Sequence, residues 1–187
     1  MLAKYMRKSW KESIGDKSRL AALRGQSTVE RVERPSRIGR AHSLGYKAKQ
    51  GFVVLDVKVK KGKRKRPKVH GGRKPSKAGR FFSLGKSGQV VAEEKAARHY
   101  HNLEVLGSYF IAEDGVSKWF EVVMVDKHHP SIRSDSDISW ILERQHRGRA
   151  FRGLTPAGKR GRGLLGRGRG SEKVRPSYSA SFRKKGK

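Results

Sequence analysis

The segment 103–126, "LEVLGSYFIAEDGVSKWFEVVMVD", decides the fold of this chain. It contains two runs of β-branched and aromatic residues joined through Asp114 and Gly115. An Asp-Gly pair favours the positive φ angles of tight hairpin turns, because glycine adopts them at little steric cost. The segment therefore predicts an antiparallel β-hairpin that turns at Asp114-Gly115.

The chain before the hairpin predicts further strands. "GFVVLDVKVKKG" places Val53, Leu55, Val57 and Val59 on one face, as in a strand whose other face is more polar. "TVERVERP" predicts a shorter strand that ends at Pro35.

Apolar residues at helical spacing predict helices on both sides of these strands. They lie in "LAKYMRKSWKES", "KSRLAALRG", "QVVAEEKAARHYHNL" and "SRIGRAHSLGYK", the last with about three turns and Ser36 as its cap. After the hairpin we predict a turn at Pro130 and a short helix that starts near Asp135 or Ser136. The periodic pattern ends at Arg144.

The charge of the chain is large and unevenly distributed. Of 187 residues, 46 are Lys or Arg and 16 are Asp or Glu, which gives a net charge of +30. Residues 91–143 hold 10 acidic and 5 basic side chains, whereas the flanking segments are strongly basic. Because such a charge repels itself, it needs an anionic partner, and a polyphosphate is the natural one.

This distribution predicts four parts. They are an N-terminal helical segment with the first strands of the core (1–60), a basic RNA-binding loop (61–89), an acidic α/β part with the hairpin (90–143) and a basic Gly/Arg-rich C-terminal extension (144–187). In the isolated protein we expect the middle part to fold and residues 61–80 and 150–187 to stay disordered, because these segments have little to bury.

Several function classes are disfavoured. The chain has no cysteine, which excludes disulfide scaffolds and thiolate-bound zinc. Its first residues lack the apolar core of a signal peptide, and no apolar run approaches the ~18 residues of a membrane span. We therefore expect a soluble intracellular protein.

Two glycine-rich stretches imitate nucleotide-binding motifs. "GRGLLG" (161–166) matches G-x-G-x-x-G, but no buried strand precedes it and no helix follows, as a dinucleotide fold requires. Between Gly79 and Gly85 there are five residues where a P-loop has four. The glycines of 161–166 are better explained as allowing the backbone to approach phosphates closely.

A cluster of His and Asp near the hairpin end suggests a metal or hydrolase site. Asp126, His128, His129, Asp135 and Asp137 lie close in sequence, but no H-E-x-x-H helix supports zinc binding. A strand end, a turn and an acidic helix start explain the cluster better. A metal-dependent nucleic-acid-processing enzyme that uses Asp126, His128 and Asp135 remains an alternative.

The basic segments favour nucleic-acid binding. Aromatic residues that would stack on unpaired bases interrupt them: Tyr5, Trp10, Tyr46, Phe151, Tyr178 and Phe182. No base-reading motif is present, so we predict recognition of folded nucleic acid by shape and backbone. A DNA-compacting chromosomal protein has the same requirements and is the second alternative.

Three stretches in order, "VERVERPSRIGRAHSLGYKAKQG", "VAEEKAARHYHNLEVLGSYFIAEDGVSKWFEVVMVDKHHPSI" and "FRGLTPAGKRGRGL…GSEKVRPS", resemble the archaeal and eukaryotic large-subunit ribosomal protein fifteen ("fifteen-e") family. The resemblance implies an α+β fold: a small mixed or antiparallel sheet of about four strands with packed helices and long basic irregular extensions. It further implies a non-enzymatic, cytoplasmic component of the large ribosomal subunit.

The expected partners are large-subunit rRNA and neighbouring ribosomal proteins, with no membrane and no homo-oligomer. We expect no cofactor or metal site in the protein, although Mg²⁺ associated with the RNA would share in neutralising phosphates.

The family motifs place RNA contacts at their basic residues: Arg34, Arg37, Arg40, Lys47, Lys49, Arg152, Lys159, Arg160, Arg162, Lys173 and Arg175. Composition adds Lys63, Arg64, Lys65, Arg66, Arg73 and Lys74 in the basic loop, and Arg167 and Arg169 in the tail. Two positions depart from the family pattern: Glu104 stands where a basic residue is expected, and Lys127 where proline is common. Glu104 puts one RNA contact in doubt.

Overall fold

A four-stranded antiparallel sheet forms the centre of the molecule. The computed structural model describes residues 2–14, 16–62, 64–65, 70–72, 79, 81–166, 168–171 and 174. The strands are β1 (Val29–Val32), β2 (Phe52–Lys60), β3 (Arg64–Lys65), β4 (Phe81–Phe82), β5 (Leu103–Glu113) and β6 (Ser117–Asp126). The main sheet has the order β1-β2-β6-β5, and β3 pairs with β4 separately.

Short helices surround this sheet. They are α1 (Leu2–Ser13), α2 (Lys17–Gly25), α3 (Ile38–Ser43), α4 (Gly88–His99), α5 (Pro130–Arg133) and α6 (Pro156–Gly161), with 3₁₀ turns at Ser139–Leu142 and Arg144–His146. The α+β fold and the sheet of about four strands are thereby confirmed. Within the described residues, no helix has the length and apolar character needed to cross a bilayer.

The predicted hairpin is confirmed, but its turn closes differently from the prediction. Gly115 is not among the glycines with positive φ. Instead the Asp114 carboxylate accepts hydrogen bonds from the backbone N–H groups of Val116 (2.7 Å) and Ser117 (2.6 Å). The Asp114 N–H donates to the Ser117 carbonyl at 3.0 Å. The aspartate side chain, rather than glycine's conformational freedom, therefore closes the turn.

The sheet buries apolar side chains on both faces, because alternate residues of a strand point in opposite directions. On one face, Phe120, Val122 and Met124 of β6 pack with Ala92 and Ala96 of α4. On the other face, β6 packs against α3, α5 and the first 3₁₀ turn through Val123, Val125, Ala41, Ile132, Ile138 and Ile141. The sheet is therefore a central layer with covering elements on each side.

Helix α2 covers one corner of the sheet. Leu23 packs with Ile111 and Trp119, and the Trp119 indole N–H donates to the Leu23 carbonyl at 3.1 Å. The buried indole thus has both an apolar environment and a hydrogen-bond acceptor.

Two helix predictions were wrong in detail. Helix α3 has six residues instead of about three turns, and its N-cap is Arg37 without a side-chain cap bond. Ser36 lies one residue before this cap, and its N–H donates to the Glu121 carboxylate at 2.9 Å.

Helix α5 begins at Pro130, not near Asp135 or Ser136. The His129 Nδ1 accepts from the Ser131 N–H at 3.2 Å and caps this helix. Proline suits the first helical turn, because its missing N–H would have no partner there.

The packed part of the chain continues beyond Arg144, where the apolar pattern ends. Ala150 and Ala157 are buried, and the Thr155 hydroxyl donates to the buried Glu93 carboxylate at 2.5 Å. Thr155 also caps α6 by accepting from the Gly158 N–H at 3.1 Å. The first part of the segment expected to be irregular is therefore joined to α4.

Candidate nucleic-acid interface

The acidic residues of the chain are largely engaged inside the fold. Four of the ten acidic residues in 91–143 are buried: Glu93, Glu94, Glu104 and Glu121. Glu93 accepts from the Ser108 hydroxyl at 2.5 Å as well as from Thr155. The acidic block predicted from the sequence is thus not a correspondingly acidic surface.

Burial raises the pKa of two carboxylates inside the fold, those of Glu93 and Asp56. Desolvation is the main cause that raises the pKa of Glu93, and hydrogen bonds from Ser108 and Thr155 partly oppose it. Asp56 lies directly opposite Glu121 across β2 and β6. Burial, and then the Glu121 charge, raise the pKa of Asp56 to about 7.

The first family motif divides into exposed and engaged side chains. Arg34 and Arg40 are exposed, and Arg40 donates to the Ser43 hydroxyl at 3.4 Å. Arg37 is half-buried, and its guanidinium carbon lies 3.4 Å from the centre of the Trp10 ring. Desolvation, followed by the charge of Arg40, lowers the pKa of Arg37.

Lys47 and Lys49 of the same motif bind carboxylates of the chain itself. The Lys47 ammonium lies 2.9 Å from Asp135 and 2.8 Å from Asp137, and that of Lys49 lies 2.5 Å from Asp135. Hydrogen bonds from Lys49 and then Lys47 hold the pKa of Asp135 far below its usual range. These lysines fasten the segment before β2 to the chain that follows α5.

The C-terminal motif presents an exposed basic surface at α6. Its exposed members are Arg152, Lys159, Arg160 and Arg162, followed by Arg169. Arg162 donates to the Gly153 carbonyl at 3.3 Å, and Arg152 donates to the Gln145 carbonyl. Among the described residues, Lys159 and Arg160 have no side-chain hydrogen bond or ion pair.

A close backbone contact seats α6. A Cβ at position 158 would lie 2.6 Å from the Gly153 Cα, so only glycine permits the approach. Helix α6, which carries Lys159 and Arg160, thus packs closely against the loop at Gly153.

The two motifs lie on different sides of the sheet. Ala41 of α3 belongs to the cluster with Ile132, whereas the segment leading into α6 joins the α4 side through Thr155 and Glu93. The structure therefore does not gather the predicted residues into one patch but distributes them over two faces.

The remaining predicted residues are only partly described. Lys63, Arg66, Arg73, Lys74, Arg167, Lys173 and Arg175 lie outside the described residues, as do Tyr178 and Phe182. Arg64 and Lys65 form β3, which pairs with β4. The assignment of RNA contacts to these residues stays a prediction.

Two groups of basic residues were missed. Lys4, Lys8 and Lys11 are exposed along α1, and the helical spacing of the sequence already indicated this stripe. Arg133, Arg144 and Arg147 line a cavity of about 260 Å³ together with Lys127 and His128. Arg144 and Arg147 lie at one 3₁₀ turn, and the fold brings them to Arg133 of α5 and to the residues after β6. Glu104 and Glu143 also line this cavity.

The His and Asp cluster serves the turn before α5. The His128 N–H donates to the Asp126 carboxylate at 2.9 Å, and His129 caps α5. Asp135 is held by the two lysines. In the part of the chain that the structure describes, no three His, Asp or Glu residues are arranged to hold a metal ion.

Comparisons with known proteins agree with the resemblance seen in the sequence. The family model described as Ribosomal L15 matches residues 2–181. The chain is also 48% identical over 184 residues to the large ribosomal subunit protein eL15 of Methanospirillum hungatei JF-1. That similarity covers 95% of this chain and 94% of the relative. The chain therefore belongs to the L15e family of ribosomal proteins.

Proposed function

We propose that this protein is a structural constituent of the large ribosomal subunit that braces large-subunit rRNA through contacts with its phosphates. The observation that carries the proposal is the separation of charges. Carboxylates are buried or hydrogen-bonded within the fold, as for Glu93 and Glu121, while exposed basic side chains lie on both sides of the sheet. The surface on each side of the sheet is therefore basic and can attract a polyanion.

The contacts work through neutralisation. Each lysine or arginine that meets a phosphate releases condensed counterions, and arginine can offer two parallel donors to one phosphate. Arg34 and Arg40 would act on the α3 side, and Lys159 and Arg160 on the α6 side. Lys47 and Lys49 contribute through position, because they fix the loop that follows α3. Mg²⁺ held by the RNA and neighbouring ribosomal proteins would complete the environment.

Sedimentation of the tagged chain through sucrose gradients in Mg²⁺ tests the proposal. We expect the native chain to migrate with large subunits and to remain there after a salt wash that strips loosely bound proteins. A variant with Arg34→Ala and Arg160→Ala, one change on each face, should be released at lower salt. The control Arg24→Ala with Lys118→Ala also removes two charges, but from side chains paired with Asp114 and Glu113. Recovery of the native chain on chromosomal DNA instead of large subunits would overturn the proposal.

A further inference from the structure

An open cavity of about 260 Å³ lies between α1 and α3. Trp10 and Met6 of α1 and Ile38 of α3 supply apolar surface to it. Met6 is 41% exposed and Ile38 45% exposed, so both leave apolar surface open to a partner in the same cavity. The volume is just below the ~300 Å³ of the smallest typical ligand sites, so the cavity suits one small planar group.

The rim of this cavity is strongly basic. Arg7, Arg37 and Arg40 line it, and none of the described residues that line it is acidic. An apolar peptide in this cavity would lie beside three positive charges and would bring no carboxylate to neutralise them. A nucleotide matches both features, since its base is apolar on its faces and its phosphate is anionic.

The arrangement of Trp10 and Arg37 prepares a stacking surface. The guanidinium carbon of Arg37 lies 3.4 Å from the ring centre, so the cation already covers one face of the indole. Arginine planes and aromatic rings are the two surfaces on which proteins stack unpaired RNA bases. The Trp10 indole N–H is buried without an acceptor among the described residues. This indicates that the contact between α1 and α3 lacks a hydrogen-bonding partner.

We propose that this cavity receives one unpaired base extruded from the RNA, with the adjoining phosphate held by Arg7 and Arg40. This inference rests on the proposed RNA-binding function and adds a site for an unpaired nucleotide to it. It differs from phosphate bracing because it predicts a preference for RNA with an extruded base over a paired helix of equal charge.

The test measures binding of the full chain to three labelled RNA hairpins by fluorescence anisotropy. One has a single bulged adenosine, one has a fully paired stem, and one carries an abasic ribose-phosphate at the bulge. We expect the bulged hairpin to bind roughly five-fold to a hundred-fold more tightly than the other two, the range for one stacked base.

Two variants locate the base. Trp10→Leu should remove the preference while leaving binding to the paired hairpin. Because Trp10 is half-buried, Gly39→Phe provides a second variant: Gly39 lines the cavity and no atom lies within 4 Å of a Cβ there, so we expect the added ring to obstruct the cavity. Gly25→Phe, at an equally open glycine far from the cavity lining, is the control that should keep the preference.

The outcomes separate the two proposals. Equal affinity of the native chain for all three hairpins, or a preference that survives both variants, overturns the base site but leaves phosphate bracing intact. Failure to bind any hairpin overturns the proposed function itself. A photoreactive benzoylphenylalanine at position 43, an exposed residue at the edge of the same cavity, should cross-link to RNA in assembled subunits. Cross-linking to a protein would assign the cavity to a peptide and refute the inference.

Discussion

The Lys127 ammonium lies 3.8 Å from the Glu104 carboxylate. At both positions the family resemblance predicts another residue, proline at 127 and a basic residue at 104. Both Glu104 oxygens accept from the Gly148 N–H, at 3.0 and 3.1 Å. The two departures therefore form one local arrangement, in which a buried glutamate ties the start of β5 to the loop before α6. A basic residue at 104 could not accept this hydrogen bond.

Glu104→Ala should lower the free energy of unfolding by about 1–3 kcal/mol, because it leaves the Gly148 N–H without its acceptor. Glu104→Gln keeps an acceptor oxygen and should cost less. Lys127→Ala should cost at most about 1 kcal/mol, since the pair is long and partly exposed. Urea denaturation of the three variants measures these differences. Equal losses for Glu104→Ala and Glu104→Gln would show that the charge, not the hydrogen bond, matters.

Asp56→Asn should stabilise the protein above neutral pH and have a smaller effect near pH 5. The pKa of Asp56 is raised to about 7, so the folded chain binds this proton more tightly than the unfolded chain does. Stability contributed by the group therefore falls as pH rises from about 4 to 7. The expected gain at pH 8 is on the order of 1–4 kcal/mol.

Denaturation midpoints of the native chain and Asp56→Asn at pH 5 and pH 8 provide the measurement. Glu12→Gln, at an exposed carboxylate of α1, is the control and should show no such dependence. An equal effect of Asp56→Asn at both pH values would contradict the raised pKa.

Asp135→Asn should destabilise the protein at neutral pH and less so in acid. The bonds from Lys49 and Lys47 lower the pKa of Asp135, so the folded chain holds this proton less tightly than the unfolded chain. The contribution is present above about pH 4, the ordinary value for aspartate, and is lost as pH falls toward the folded value. The difference in urea midpoint between the native chain and Asp135→Asn should therefore shrink between pH 7 and pH 3. A constant difference would mean that the ion pairs do not stabilise the folded chain.

The fold was predictable where the sequence pattern is local. The prediction failed where a side chain from a distant segment determines the local structure. The hairpin, β2 and α4 follow from runs of 9 to 12 residues with one clear period. Ser36 was wrongly assigned as a cap: helix α3 begins after Arg37, and the Ser36 N–H is bound by Glu121, 85 residues away. The turn at Asp114 was placed correctly for a different reason, since its side chain replaces a positive φ.

The function was more predictable than the individual site residues. The comparisons confirm the family recognised from the sequence. With it they confirm the ribosomal location and the structural rather than enzymatic role of the protein. Charge and motif alone do not distinguish Arg34, which is exposed, from Lys49, whose charge Asp135 offsets within the chain. That distinction depends on which carboxylate the fold brings near each cation, and sequence spacing does not contain it.

Lys159→Ala with Arg160→Ala should weaken binding to large-subunit rRNA and reduce its salt dependence. Both side chains are exposed and unpaired within the described residues, so each is available to replace one condensed counterion. The slope of log Kd against log salt should change by about 2, or roughly one for each phosphate that the variant leaves without a cation. Filter binding of purified rRNA at several salt concentrations measures it.

Arg24→Ala with Lys118→Ala is the matched control, because it removes the same charge from side chains that bind Asp114 at 3.0 Å and Glu113 at 2.8 Å. Its salt slope should remain close to that of the native chain. If both double variants reduced the slope equally, total charge rather than the position of individual cations would govern binding. The separation of inward carboxylates from outward cations would then not explain how this protein holds RNA.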